Sequence, residues 1–151
     1  MNNSYKTAIV RKRPSLPLRI LINDNKINKD DKILDFGCGR GTDYTWLQLN
    51  NYNANGYDPY WNPTKNLLDK KYDIVLCSYV LNVVNINKRR AVINKLKGLI
   101  NKSGKIYITV RRDIKKDYTT KYGVHQYLVY LPYKIIKETS AYCIYEINKN
   151  N

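Results

Sequence analysis

The sequence has little of what builds metal, disulfide or membrane chemistry. It holds one histidine, His125, and three cysteines in 151 residues. Cys38, Cys77 and Cys143 are odd in number, form no C-x-x-C pair and suit neither a zinc site nor a disulfide framework, so they read as small buried thiols and no metal is expected. Long apolar runs are absent. Runs such as Ile33 to Leu34, Ile74 to Cys77 and Ile106 to Ile108 are strand-sized, whereas a bilayer needs roughly 18 residues, so neither a transmembrane helix nor a membrane partner is expected. Met1 to Arg13 is polar and basic, without the apolar stretch of a secretory signal, and a reducing, cytoplasmic compartment is expected.

Acidic residues are also scarce. Twelve Asp and Glu face 27 Lys and Arg, a net charge of +15, and such a balance points to a polyanion such as nucleic acid. Drift in an A/T-rich genome is the rival explanation, because 19 of the cations are Lys and the chain also carries 19 Asn. The charge is clustered, however. Residues 1 to 32 carry eight cations and three acids, and residues 102 to 121 seven cations and two acids. If the fold brings these segments together they make a basic rim.

Hydrophobic residues at 43% are enough to bury a core, and the length suits one domain of roughly 100 to 200 residues. It divides into a basic N-terminal arm and helix over 1 to 31 and an α/β core over 32 to 151. Ser15 caps a short helix carrying Leu18, Leu21 and Ile22. Lys32 to Phe36 and Asn53 to Tyr57 read as strands around a helix starting at Thr42, and Tyr72 to Tyr79 as a strong strand. Residues 86 to 100 make an amphipathic helix with Ile86, Val92 or Ile93, Leu96 and Leu99 or Ile100 on one face. Ser103-Gly104 turns into a strand over 105 to 110, and Gln126 to Leu131 and Tyr142 to Ile147 are later strands around a short helix. Strands alternating with helices predict a mostly parallel sheet with its ligand at the carboxyl ends of the strands.

The sharpest motif is Asp35-Phe-Gly-Cys-Gly-Arg-Gly-Thr-Asp43, a glycine-rich turn that lets a ligand approach the backbone. A pyrophosphate there would be repelled by Asp35 and Asp43; a cation would not. Asp58, 23 residues after Asp35, ends the second strand, where an acid accepts from ribose hydroxyls. The site asks for a positively charged nucleoside without phosphate.

These residues resemble the class I S-adenosylmethionine-dependent methyltransferases: Ile33 to Gly41 match the cofactor motif, Gly56-Tyr-Asp-Pro59 the ribose motif, and Tyr72 to Val83 the fourth strand and lip. More narrowly, Thr7-Ala-Ile, Arg13-Pro-Ser-Leu-Pro-Leu-Arg19, Tyr79-Val-Leu-Asn-Val and Thr120-Lys-Tyr-Gly-Val-His-Gln126 resemble methyltransferases associated with DNA phosphorothioation systems and their phage-encoded relatives. The resemblance implies a Rossmann-like α/β sheet with helices on both faces, S-adenosyl-L-methionine as cofactor, and a cofactor site of Asp35, Gly37, Cys38, Gly39, Gly41, Asp43, Asp58, Pro59 and Tyr60. A phage or virus protein would work in the host cytoplasm. Only thirteen residues separate Asp58 from Tyr72, too few for a further strand with its crossover helix of about thirty residues. The family's third strand is therefore expected to be missing, and Tyr60 and Trp61 are candidates to stack on adenine.

Tyr79, Asn82 and His125 are the candidate catalytic residues: the first two follow the fourth strand, and His125 has the only side chain with an ordinary pKa near neutrality. Asn82 has an alternative as a cap. Arg11, Arg13, Arg19, Arg111 and Arg112 are assigned to substrate phosphates. The arm precedes the first strand and is expected to be dispensable for cofactor. The Asn/Asp-Pro-Pro-Tyr/Phe signature of exocyclic-amine methylation and a Pro-Cys nucleophile are both missing, so target recognition is left to a protein partner or the arm. A cofactor-binding accessory subunit and a small-molecule methyltransferase are the alternatives.

Overall fold

Ser15 ends the N-terminal arm, which holds one 3₁₀ turn (Ser4–Thr7), and starts α1 (Leu16–Asn23), its side chain accepting from the Leu18 N–H at 3.4 Å, with Pro17 in the first turn where a missing N–H costs nothing. The structure is a computed structural model that describes residues 3–151. After α1 come β1 (Lys32–Phe36), α2 (Thr42–Leu49), β2 (Asn53–Tyr57), β3 (Tyr72–Ser78), α3 (Ile86–Leu99) and β4 (Ile100–Arg111). The chain ends in β5 (Tyr118–Thr119), β6 (His125–Gln126), β7 (Lys134–Glu138) and β8 (Tyr142–Asn148).

Six strands form one sheet in the order β2-β1-β3-β4-β8-β7; β5 and β6 form a separate hairpin. The first four run parallel, and β8 and β7 join antiparallel. Alternation along β1 sends Ile33 and Leu34 to opposite faces. Ile33, Ile74 and Leu76 pack with Leu18 and Leu21 of α1 and Leu47 of α2. Leu34, Val75 and Cys77 pack with Ile93, Leu96 and Leu99 of α3. Helices thus cover both faces, and burial of each such leucine contributes roughly 1.5–3 kcal/mol.

The family's third strand is missing as the spacing predicts: between Asp58 and Tyr72 lie an isolated antiparallel bridge, Asp58 to Asn62, and a 3₁₀ turn, Lys65–Asp69. β2 is left as an edge, and two side-chain amides cap it. Gln48 Nε2 donates to the Ala54 carbonyl at 2.8 Å and Asn62 Nδ2 to the Gly56 carbonyl at 2.7 Å, filling acceptors that a neighbouring strand would otherwise take.

Four expectations are corrected. Ile86 is 67% exposed because the helix begins there, beyond the buried stripe. Ser103-Gly104 lies inside β4, in a bulge where Tyr72 pairs with Ile100 and Ile74 with Lys105; a Cβ on Gly104 would stand 2.8 Å from Ile100 Cβ. Of Gln126 to Leu131 only Gln126 is in a strand, the short β6. The expected short helix is replaced by β7, whose β-branched Ile135 and Ile136 favour the extended form and whose Lys134 and Lys137 guard a sheet edge. No helix among the described residues is long and apolar enough to cross a membrane.

Candidate functional site

A cavity of about 630 Å³ opens at the carboxyl ends of β1, β2 and β3, within the range of roughly 300–1,000 Å³ typical of small-molecule sites. Its floor is the turn after β1, where Gly37 and Gly39 line the cavity and Gly41, outside the lining, caps the start of α2; their φ of +76°, +56° and +86° lie in a region open to glycine without strain. Gly37 has a second reason to be glycine, since a Cβ there would lie 2.4 Å from Val80 Cγ2. The Gly37 and Cys38 N–H groups donate to the Tyr57 carbonyl at 2.7 and 3.0 Å, and the Gly39 N–H to Asp58 Oδ2 at 2.9 Å. Asp58 Oδ1 accepts from the Tyr60 and Trp61 N–H groups. The Asp58 carboxylate is thereby fixed, and Oδ2, with one donor, keeps a lone pair for a ligand hydroxyl.

Asp35 is the unusual group. It is 4% exposed, lines the cavity and makes no hydrogen bond or ion pair among the described residues. Burial, then the neighbouring Asp43, push its pKa well above the ordinary carboxylate value, with Arg11 opposing and Asp58 adding a little. A cationic ligand would complete it. Asp43 is differently placed: Oδ1 accepts from the Ser15 N–H at 2.7 Å and Oδ2 from the Ser15 hydroxyl at 2.6 Å. Burial followed by the charges of Asp35 and Asp58 pushes the Cys38 thiol up, so it is no nucleophile.

The roof is the N-terminal arm. Ser4, Tyr5, Ala8 and Arg11 line the cavity. Tyr5 stacks on Tyr60 with ring centroids 3.9 Å apart, and Trp61 Nε1 donates to the Tyr5 carbonyl at 3.3 Å. A Cβ on Gly39 would lie 3.1 Å from Ala8 Cβ, and the Arg11 N–H donates to Thr42 Oγ1. This corrects the expectation that the arm is dispensable for the cofactor site. Trp61 is not a wall of the cavity; it props the arm, with Arg40 at 4.2 Å over its ring.

A family model for a methyltransferase domain matches residues 9–136. The chain belongs to the methyltransferase domain family. No curated protein matches its sequence. Among solved structures it is similar to a SAM-dependent methyltransferase from Bacteroides fragilis in complex with S-adenosyl-L-homocysteine: 16% identity, TM-score 0.61, 91% of this chain and 79% of that one. It is also similar to Burkholderia thailandensis 1,6-didemethyltoxoflavin-N1-methyltransferase: 13% identity, TM-score 0.61, 87% of this chain and 76% of that one. The chain spans 42% of the length of coclaurine N-methyltransferase, which covers 72% of this chain at 16% identity and TM-score 0.48.

The structure separates the methyltransferase's candidate catalytic residues. Tyr79 lines the cavity, takes φ +60°, and its hydroxyl makes no hydrogen bond among the described residues. Asn82 is 1% exposed; its Nδ2 donates to the Tyr127 carbonyl at 2.7 Å and its Oδ1 accepts from the Arg111 N–H at 2.8 Å. It is neither a lip residue nor a cap but a cross-link. His125 is exposed in the β5-β6 hairpin, its Nδ1 2.8 Å from Thr119 Oγ1, and does not line the cavity.

The arginines separate too. Arg111 is held at 2.8 Å by both oxygens of Asp113. Arg112 is tied to Glu138, the Val129 carbonyl and the Tyr145 hydroxyl. Both serve internal structure, which corrects their assignment to phosphates. Arg11, Arg13 and Arg19 make no ion pair among the described residues and line one groove. The basic rim is smaller than the charge clusters suggest. Lys32, Lys102 and Lys105 sit at the amino ends of β1 and β4, the far edge of the sheet, and Lys26 and Lys105 pair with Glu146.

Sequence reasoning missed Tyr44, Val83, Val92 and Lys95. The last three add an apolar and cationic wall from the 81–83 turn and α3. The Tyr44 ring fills the space above Gly41 and Gly56, where Cβ atoms would stand 2.5 and 2.1 Å away; the glycine of the Gly56-Tyr-Asp-Pro motif was the available signal.

Proposed function

We propose that this methyltransferase transfers a methyl group from S-adenosylmethionine to a nucleic acid. The donor class follows from the family, and the residues fit it. Asp35 supplies a buried carboxylate, without a partner among the described residues, for a cation, Asp58 an acceptor for the ribose, and Phe36, Val80 and Val83 an apolar wall for the base. When bound, the donor supplies a sulfonium methyl: the acceptor's lone pair takes the methyl, the electron pair of the broken C–S bond stays on sulfur, and the acceptor's proton goes to solvent.

The chain's own contribution is positioning and exclusion of water. The arm roofs the cavity, the Asp58 carboxylate is pre-set by three backbone donors, and Gly37 lets Val80 close against the turn. Burial pushes the Tyr79 phenol above its ordinary value, so Tyr79 meets an acceptor as a hydrogen-bond donor and not as a base.

The observation that carries the acceptor reading is a reversal of charge across the cavity mouth. Asp35, Asp43 and Asp58 face the cavity, Arg11 stands at its mouth and lines both spaces, and Lys12 and Arg13 lie outside it; these three cations have no acidic partners among the described residues, on a chain of net charge +15. A cation belongs inside and a polyanion outside. The finer resemblance to DNA phosphorothioation-associated and phage methyltransferases supports a DNA context in a bacterial cytoplasm, with sequence choice supplied by a protein partner; its carrying residues that line the cavity include Thr7, Ala8, Ile9 and Ser15 of the arm and Tyr79, Val80 and Val83 after β3. The internal engagement of Asn82 and the distance of His125 from the cavity favour a second reading, a cofactor-binding accessory subunit without chemistry of its own. Titration of labelled single-stranded and duplex DNA and RNA at two ionic strengths tests the acceptor reading. Affinity falling steeply with salt supports it; absent or salt-independent binding contradicts it.

A further inference from the structure

A second concavity of about 410 Å³ adjoins the first, lined by Arg11, Lys12, Arg13 and Arg19, by the turn that starts α1, and by Tyr79. Arg11, Ser15 and Tyr79 line both, so the two spaces share a wall. Four cations converge here, and none has an ion-pair partner among the described residues. Arg19 Nε is buried and has no hydrogen-bond partner among the described residues. A buried donor without an acceptor is costly, and native structures seldom leave one so unless something else completes it. The helix start is not the attraction: the Ser15 N–H and hydroxyl go to Asp43, the Leu18 N–H faces Ser15 Oγ, and Pro17 has none. What the groove offers is guanidinium forks, whose geometry matches a phosphate.

We infer that this groove is the acceptor's phosphate subsite: Arg11, Arg13 and Arg19 hold one phosphate of the acceptor while the group to be methylated enters the cofactor cavity past Tyr79. The inference rests on the methyltransferase reading of the first cavity and adds the chemical class of the acceptor. Tyr79 is placed to divide the two spaces. Its left-handed φ of +60° is uncommon for a residue with a Cβ, and its N–H is fixed on the Thr109 carbonyl at 2.8 Å. Such backbone is held where the surroundings over-determine it, as they do at the end of β3. The volume is enough for a phosphate with its sugar, which can belong to a nucleic-acid strand or to a free mononucleotide.

The test uses the full chain saturated with S-adenosylhomocysteine and a fluorescent single-stranded oligonucleotide, followed by anisotropy, with inorganic pyrophosphate and a nucleoside monophosphate as competitors. Pyrophosphate is expected to displace the oligonucleotide, and Arg19→Gln to weaken oligonucleotide binding by about tenfold or more, the scale of a charge-assisted bond, while calorimetry finds S-adenosylhomocysteine affinity within about twofold. Should Arg19→Gln fail to fold, Arg19→Lys keeps the charge and loses the fork, and is expected to weaken the oligonucleotide by at least about threefold. Wild-type oligonucleotide affinity in the folded variants, or no displacement by pyrophosphate, overturns the subsite and leaves the nucleic-acid reading standing. Arg19-dependent binding of the monophosphate with no oligonucleotide binding supports the subsite and overturns the nucleic-acid reading instead.

Discussion

The hydroxyl and the backbone N–H of Ser15 both donate to the carboxylate of Asp43, at 2.6 and 2.7 Å, across 28 positions of sequence. One residue thus starts α1, anchors the arm that roofs the cavity, and binds the first turn of the helix that follows the glycine loop. Both side chains are buried, so the tie is shielded from water and from salt.

Ser15→Ala removes the hydroxyl donor and the cap together. A loss of about 1–3 kcal/mol of unfolding free energy is expected in urea titration, and S-adenosylhomocysteine should bind more weakly because the roof loosens. Unchanged cofactor affinity in the folded variant would show that the arm does not close the site.

Asp35 links pH to both stability and binding. Its folded pKa lies well above the ordinary carboxylate value, burial being the main cause. Between the two values the folded chain holds a proton that the unfolded chain has released. The stability from this group is therefore fully present below the ordinary value and lost as pH rises through the raised one. A cationic ligand prefers the ionised form, so affinity for S-adenosylmethionine should rise with pH over the same window. Asp35→Asn is expected to raise the Tm of the free protein at neutral pH and to weaken S-adenosylmethionine by at least about tenfold. Calorimetry across a pH series, paired with thermal melts, checks both signs.

Two glycines should respond oppositely to alanine. At Gly37 the backbone is left-handed and the new Cβ would meet Val80 Cγ2 at 2.4 Å, so Gly37→Ala should cost at least about 1–3 kcal/mol. Gly98, in α3, has open space around it, and Gly98→Ala should stabilise by up to about 1 kcal/mol. Chemical denaturation of the pair measures both.

Asn82→Ala leaves the Arg111 N–H and the Tyr127 carbonyl without their partners. It should lower stability by about 1–3 kcal/mol or more and leave the rate of methyl transfer close to wild type at a temperature where the variant is folded. A large fall in kcat with unaltered stability would return Asn82 to the catalytic set.

What the sequence made legible was local. The apolar run Lys32 to Phe36, the glycine turn, Asn53 to Tyr57 and the thirteen-residue gap before Tyr72 each carry their meaning within a few residues, and the sheet follows them. Asn82 and Arg112 were misread, and the tie from Ser15 to Asp43 was missed although Ser15 was legible as a cap, because the partners Tyr127, Glu138 and Asp43 are distant in sequence and leave no periodic trace. His125 was chosen for what an imidazole can do, and its placement in a hairpin depends on Thr119 and the pairing of β5 with β6. β7 was hidden because its outward lysines and glutamate dilute two β-branched residues into a pattern resembling a helix end.

Methyl transfer itself is the most direct measurement. The full chain is incubated with methyl-labelled S-adenosylmethionine and pooled DNA, RNA and metabolite acceptors, and the labelled product is identified by mass spectrometry. The label is expected in nucleic acid, and its transfer should be lost in Asp58→Ala, which removes the fixed carboxylate at the end of β2. Label found in a small molecule, or transferred to nothing by a chain that binds the cofactor, would contradict nucleic-acid methylation.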